Sequence, residues 1–133
     1  MRIARFLSGG QELYGVVEGE QVRVIEGDIF SDFKAGQQSL PLAGVRLLPP
    51  VRPSKILAVA LNYRSHLGER PASPHPELFL KAPSSLIGPE ETIILPQAAG
   101  RVDYEGELVV VGREQGGAPG SRSTPEALPE GVR

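Results

Sequence analysis

The sequence predicts a β-rich α+β fold. Three observations carry that prediction. Apolar runs are short and rich in β-branched residues, as in Leu13-Tyr14-Gly15-Val16-Val17 and Gln21-Val22-Arg23-Val24-Ile25. Turn formers recur throughout, with 16 glycines and 13 prolines, both above average usage. No long segment shows the 3.6-residue apolar period of an amphipathic helix.

The elements follow in order. Arg2 to Leu7 is a first candidate strand. The two runs quoted above are the next two, joined by the hairpin-like connection Glu18-Gly19-Glu20. Ile29 to Gly36 reads as a helical turn or loop. Val45-Arg46-Leu47-Leu48 is a short strand, after which Pro49-Pro50-Val51-Arg52-Pro53 cannot continue a ladder, because proline lacks the N–H donor. A change of substructure is expected there. Lys55 to Leu61 is apolar and partly β-branched, as a buried strand would be. Asn62 is a good N-cap for a short helix, which Pro71, Pro74 and Pro76 would stop. Glu77 to Lys81 and Ile93 to Leu95 are strand candidates separated by the Gly88-Pro89 turn, and Glu105 to Val111 is the last. From Gly112 onward Gly, Pro, Ser and charged residues dominate, a composition that predicts disorder. The resulting division is a small N-terminal β domain over 1–48, a second domain over 49–113, and a disordered or aberrant tail over 114–133.

Charge and composition exclude several classes. A net charge of −2 gives no electrostatic reason to expect nucleic acid or an anionic membrane as partner. Without cysteine there is neither a disulfide framework nor a thiolate metal site. No apolar run approaches the roughly 18 residues of a membrane span. Met1 to Leu7 lacks an apolar core of signal-peptide length, so a cytoplasmic protein is the expectation.

Two constellations bear chemistry. In Asp103-Tyr104-Glu105-Gly106-Glu107, a strand would point Glu105 and Glu107 to one side, with Cα atoms roughly 6.5 to 7 Å apart. Two such carboxylates can converge on one hard divalent cation, completed by waters and substrate oxygens. The same pattern also suits the wet face of a half-exposed strand, with Asp103 beside them. His66 and Glu69 are the second pair. On a helix they would share a face, and a carboxylate bound to one imidazole nitrogen leaves the other free to take a proton from water. An exposed helical histidine near a glutamate is the plainer alternative. Lys81, near Phe79, either contacts an anionic substrate or snorkels along apolar surface.

Several segments in series resemble the fumarylacetoacetate hydrolase family. They are Lys55-Ile56-Leu57-Ala58-Val59-Ala60-Leu61-Asn62-Tyr63-Arg64-Ser65-His66 followed by Glu69, Leu78-Phe79-Leu80-Lys81-Ala82-Pro83, Leu86-Ile87-Gly88-Pro89, Ile94-Leu95-Pro96, and Tyr104-Glu105-Gly106-Glu107-Leu108. The resemblance spans about Val45 to Arg113, and the preceding region is similar to the small N-terminal β domain of many bacterial members. It implies a mixed β-roll catalytic fold, of which this chain holds the first part. It further implies that Glu105 and Glu107 bind Mg²⁺ or Mn²⁺ and that His66 and Glu69 sit on a lid and activate water. The implied substrate is a small β-dicarbonyl or 2-oxo acid, undergoing C–C bond hydrolysis, decarboxylation or dienedioate isomerisation, in a homodimer. The family pattern continues further, to an aspartate ligand and a later lysine. The chain therefore reads as C-terminally truncated or frameshifted, and the isolated fragment as inactive. A non-catalytic remnant or a β-rich binding module is the alternative.

Overall fold

Tight hairpins build the first sheet. In the computed structural model, which describes residues 1–113, β1 (Ile3–Ser8) and β2 (Gln11–Glu18) are joined by Gly9-Gly10. Both glycines have positive φ, 56° and 79°, the requirement of a two-residue turn that follows the strand twist. β2 and β3 (Gln21–Gly27) form a hairpin where the sequence predicts one, joined by Gly19-Glu20 alone, because Glu18 pairs with Gln21 as the last residue of β2. Next comes β4 (Phe33–Pro41), then a short 3₁₀ turn at Leu42–Gly44 and β5 (Arg46–Leu47). The sheet is antiparallel, in the order β4-β3-β2-β1-β5.

Its core is small. Phe6 and Val22 are fully buried and Val16 nearly so. Gly15 lies between them: a Cβ there would stand 2.4 Å from Val22 Cγ2 and 2.9 Å from the Arg23 carbonyl, so only glycine lets these neighbours approach. Arg5, adjacent to Phe6 and so on the other side of β1, is also buried. Its guanidinium donates to the Pro49 carbonyl at 3.1 Å and pairs with Glu12, which also pairs with Arg52. The proline-rich connection is thereby tied to the sheet. Gly88 is buried against its start, with the Cβ position 3.2 Å from Pro49 Cδ and 3.4 Å from the Leu47 carbonyl.

A second, two-stranded sheet follows. β6 (Ile56–Ala60) pairs antiparallel with β7 (Glu77–Lys81), from Ile56 opposite Lys81 to Ala60 opposite Glu77. Between them stands the single-turn helix α1 (Arg64–Leu67), and a 3₁₀ turn at Pro83–Ser85 follows β7. Alternation puts Leu57, Val59, Leu78 and Leu80 on one face, with Leu80 71% exposed. The described residues are thus β-rich with little helix, an α+β class with antiparallel sheets. None of their helices is long and apolar enough to cross a membrane.

Several expectations are corrected. The segment read as a helical turn or loop over 29–36 is a turn only to Asp32. There the Asp28 carboxylate accepts from the Phe30 N–H at 3.0 Å and the Asp28 carbonyl from the Ser31 N–H at 2.9 Å, before β4 begins at Phe33. The Lys55–Leu61 strand forms over Ile56–Ala60 but is not buried: Leu57 is 60% exposed. Ile93 to Leu95 and Glu105 to Val111 are not strands. Both have the right residues, but a strand exists only within a ladder, and neither segment belongs to a sheet of the described residues. The residues fall into two compact units, the first Met1–Asp103 and the second beginning at Tyr104. The tail over 114–133, read as disordered or aberrant, lies outside the described residues.

Candidate active site

The turn from β6 into α1 carries His66. α1 has Tyr63, not Asn62, at its N-cap, and no side chain caps it. Tyr63 is extended (φ −109°, ψ 139°), so the helix starts one residue later than the N-cap preference of asparagine predicts. The His66 N–H donates to the Tyr63 carbonyl at 2.9 Å, and the two rings lie 5.9 Å apart, tilted by 57°. Gly68 ends the helix with φ 59°, so Glu69 stands beyond the last helical residue. The shared helical face expected of His66 and Glu69 is therefore not formed. Both side chains are exposed, His66 within α1 and Glu69 two residues past Leu67, its last helical residue.

Lys81 closes β7. Its ammonium lies 5.9 Å from the Phe79 ring centroid, on the same face of the strand, an exposed cation–π contact. Glu105 and Glu107 belong to the second unit and are exposed. Without a strand at that position, the alternation argument for their common direction does not hold. Their oxygen donors suit a hard cation such as Mg²⁺ or Mn²⁺, which accepts one or two carboxylates with waters and substrate oxygens. Among the described residues, no three His, Cys, Asp or Glu side chains are grouped to hold a metal ion.

An open groove of about 820 Å³ lies within the first unit, between the end of β6 and the start of β7. Leu61, Asn62, Leu67, Arg70, His75 and Glu77 line it, whereas His66 and Glu69 do not. Sequence reasoning missed this feature. Leu61 sits in the left-handed region with φ 52°. A leucine held there costs on the order of 1 kcal/mol or more, and such strain concentrates at functional positions. No sequence signal marks it, since leucine is not a residue expected at positive φ.

An antiparallel N-terminal sheet, a β–helix–β segment carrying His66 and a downstream Glu-x-Glu follow one another along the chain. Two family models match. The one described as fumarylacetoacetate (FAA) hydrolase C-terminal covers residues 55–128, and the one described as Rv2993c-like, N-terminal covers residues 1–50. The chain belongs to the fumarylacetoacetate hydrolase family. The match extends past Arg113 to residue 128, further than the motifs alone reach.

Among its relatives, the protein Rv2993c of Mycobacterium tuberculosis is 35% identical over 138 residues, covering 96% of this chain and 52% of the relative. A mitochondrial protein of Bos taurus named oxaloacetate tautomerase FAHD2A is 43% identical over 75 residues, covering 54% of this chain and 24% of the relative. Among solved structures, one titled 2-hydroxyhepta-2,4-diene-1,7-dioate isomerase, from Mycobacterium marinum, superposes with a TM-score of 0.55 at 32% identity. That match covers 65% of this chain and 34% of the other. The chain spans about half the length, or less, of the relatives it matches.

Proposed function

We propose that this chain carries the water-activating segment and two metal carboxylates of a metal-dependent enzyme acting on a small 2-oxo or β-dicarbonyl acid. The reaction is C–C bond hydrolysis, decarboxylation or dienedioate isomerisation. The family match over residues 55–128 carries this reading, because it spans both constellations in one alignment. The names of the bovine and mycobacterial relatives, a tautomerase of an oxo acid and an isomerase of a dienedioate, support the substrate class.

In this reading Glu105 and Glu107 would hold Mg²⁺ or Mn²⁺, whose bound form supplies Lewis-acid polarisation of an oxo group. His66 takes a proton from water at one ring nitrogen. Glu69 accepts a hydrogen bond from the other, which fixes the imidazole tautomer and steadies the positive charge the ring acquires. Lys81 meets the substrate carboxylate. Residues 1–48 form an accessory β domain and 49–113 the opening of the catalytic domain, a division close to the two matched ranges, 1–50 and 55–128. Homodimeric assembly in the cytoplasm belongs to the same reading, on the strength of the family resemblance.

A chimera tests it. The chain is continued with the part of the M. tuberculosis relative that lies beyond the match, and acylpyruvate cleavage and oxaloacetate turnover are assayed. Turnover is expected only with Mg²⁺ or Mn²⁺ and is abolished by Glu105→Gln or Glu107→Gln. Activity that survives EDTA removes the glutamates from the metal site. A chimera that folds but turns over none of these acids with either metal favours the non-catalytic binding module.

A further inference from the structure

The two rings at the start of α1 are joined twice, through backbone and through side chain. Tyr63 is the N-cap of this single turn and His66 stands three positions on, so the two meet across one turn. Their ring centroids are 5.9 Å apart and the planes are tilted by 57°. Tilted contacts at this separation are among those aromatic rings favour, because the positive edge of one ring is attracted to the negative face of the other.

Tyrosine is an unexpected residue at this position. N-caps favour Ser, Thr, Asp or Asn, whose side-chain oxygen accepts from an N–H two or three residues on. Here no side chain caps the helix, and the His66 N–H donates to the Tyr63 carbonyl at 2.9 Å. Any residue at 63 offers that carbonyl, so capping does not account for an aromatic ring. Core packing does not account for it either, since Tyr63 is only half-buried and α1 has no buried residue. Contact with the imidazole does account for it.

We propose that Tyr63 is a positioning residue for His66, its ring holding the imidazole in one orientation and attracting it once it is charged. The inference rests on the general-base reading of His66 given above and deepens it. An exposed histidine otherwise exchanges rapidly among rotamers. His66 is exposed, and a ring packed against one side of it removes some of those rotamers. Glu69 stands past the end of α1, whereas Tyr63 is tied to the turn that carries the base. When His66 takes a proton from water, leaving hydroxide, the imidazolium lies within the reach of cation–π attraction to the tyrosine ring.

Tyr63→Leu removes the ring and keeps the backbone carbonyl. Tyr63→Phe keeps the ring and removes the hydroxyl. NMR of the full chain reads the contact without reference to activity. The parent and Tyr63→Phe should show ring-to-ring cross-peaks between residues 63 and 66 and side-chain couplings of a single His66 rotamer. Tyr63→Leu should show averaged couplings, with the His66 ring protons moved toward the shifts of an unpacked histidine. In the chimera, Tyr63→Leu should lower kcat by about three- to tenfold with KM unchanged, while Tyr63→Phe stays within about twofold of the parent.

Averaged His66 couplings in the parent, or couplings indifferent to Tyr63→Leu, overturn the proposal. So does a kcat unmoved by Tyr63→Leu in an active chimera, which leaves the enzyme reading intact. Tyr63→Phe as damaging as Tyr63→Leu moves the role from the ring to the hydroxyl and also overturns it. A folded chimera without turnover fails the enzyme reading, while a single His66 rotamer that depends on the ring at 63 still supports the positioning.

Discussion

Glu12 sits on β2 between two guanidinium groups, Arg5 from β1 and Arg52 from the proline-rich connection. The hydrogen bond from Arg5 is the main reason its carboxyl titrates below the usual value; partial desolvation opposes this, and the charges of Arg5 and Arg52 reinforce it. The sign follows from linkage. A carboxyl whose pKa is lower in the folded chain contributes stability at pH values above its unfolded pKa. That contribution is lost as pH falls through the folded value. Glu12→Gln should therefore lower the melting temperature at neutral pH, and the gap to the parent should narrow as the pH drops below the ordinary carboxylate range. A gap of constant size across that range would contradict the pairing. Gly15 makes a sharper steric prediction. The atoms a Cβ would meet include the Arg23 carbonyl at 2.9 Å, backbone that cannot swing aside. Gly15→Ala should cost about 1–3 kcal/mol, the usual range for overpacking. Urea unfolding measures it, and an unchanged midpoint would mean the sheet relaxes around the methyl. His66→Ala, made in the chimera, should lower kcat by roughly 10²- to 10⁴-fold with metal affinity unchanged, the loss expected of a general base. Loss of metal with turnover intact at saturating metal would make His66 a ligand instead.

At the scale of elements, β-propensity alone marked some strands and misled on others. β1, β2 and β3 were legible because their apolar residues bury in the same small core and their turns carry glycine where the backbone needs positive φ. β4 was not. Lys34-Ala35-Gly36-Gln37-Gln38-Ser39 has weak strand preference, and it is extended because β3 presents unpaired backbone groups that it satisfies. Leu108-Val109-Val110-Val111 is the converse, strong preference in a stretch that belongs to no sheet of the described residues. At the candidate site, the residue types of His66, Glu69, Lys81, Glu105 and Glu107 were readable, but their mutual placement was not. One glycine, Gly68, ends the helix that was to align the first two. The groove was invisible because it depends on how the chain folds back between β6 and β7. The aliphatic face of that pair has a consequence of its own. With Leu57 60% and Leu80 71% exposed, the face should drive concentration-dependent association, which Leu57→Thr with Leu80→Thr should reduce. Light scattering over a concentration series decides it, and an unchanged profile in the double variant would place the sticky surface elsewhere.

For the molecule as a whole, the five-stranded sheet carries the buried core, whereas β7 is exposed along its length. Limited proteolysis should therefore cut between Leu61 and Glu77 well before it cuts β1 to β4, and early cleavage within β2 or β3 would contradict that order. The two-residue hairpins described at the outset bear on how such a chain emerges from the ribosome. Each of the first three strands pairs with a neighbour only a few residues away, so little loop-closure entropy opposes its docking. The longest reach in the sheet, Leu47 back to Phe6, is available as soon as β5 leaves the exit tunnel. The sheet can thus close before Lys55 emerges. A nascent chain arrested with β5 just clear of the exit tunnel should already protect the Phe6 and Val22 amides from hydrogen exchange, so that β6 and the groove-forming residues emerge against a finished platform.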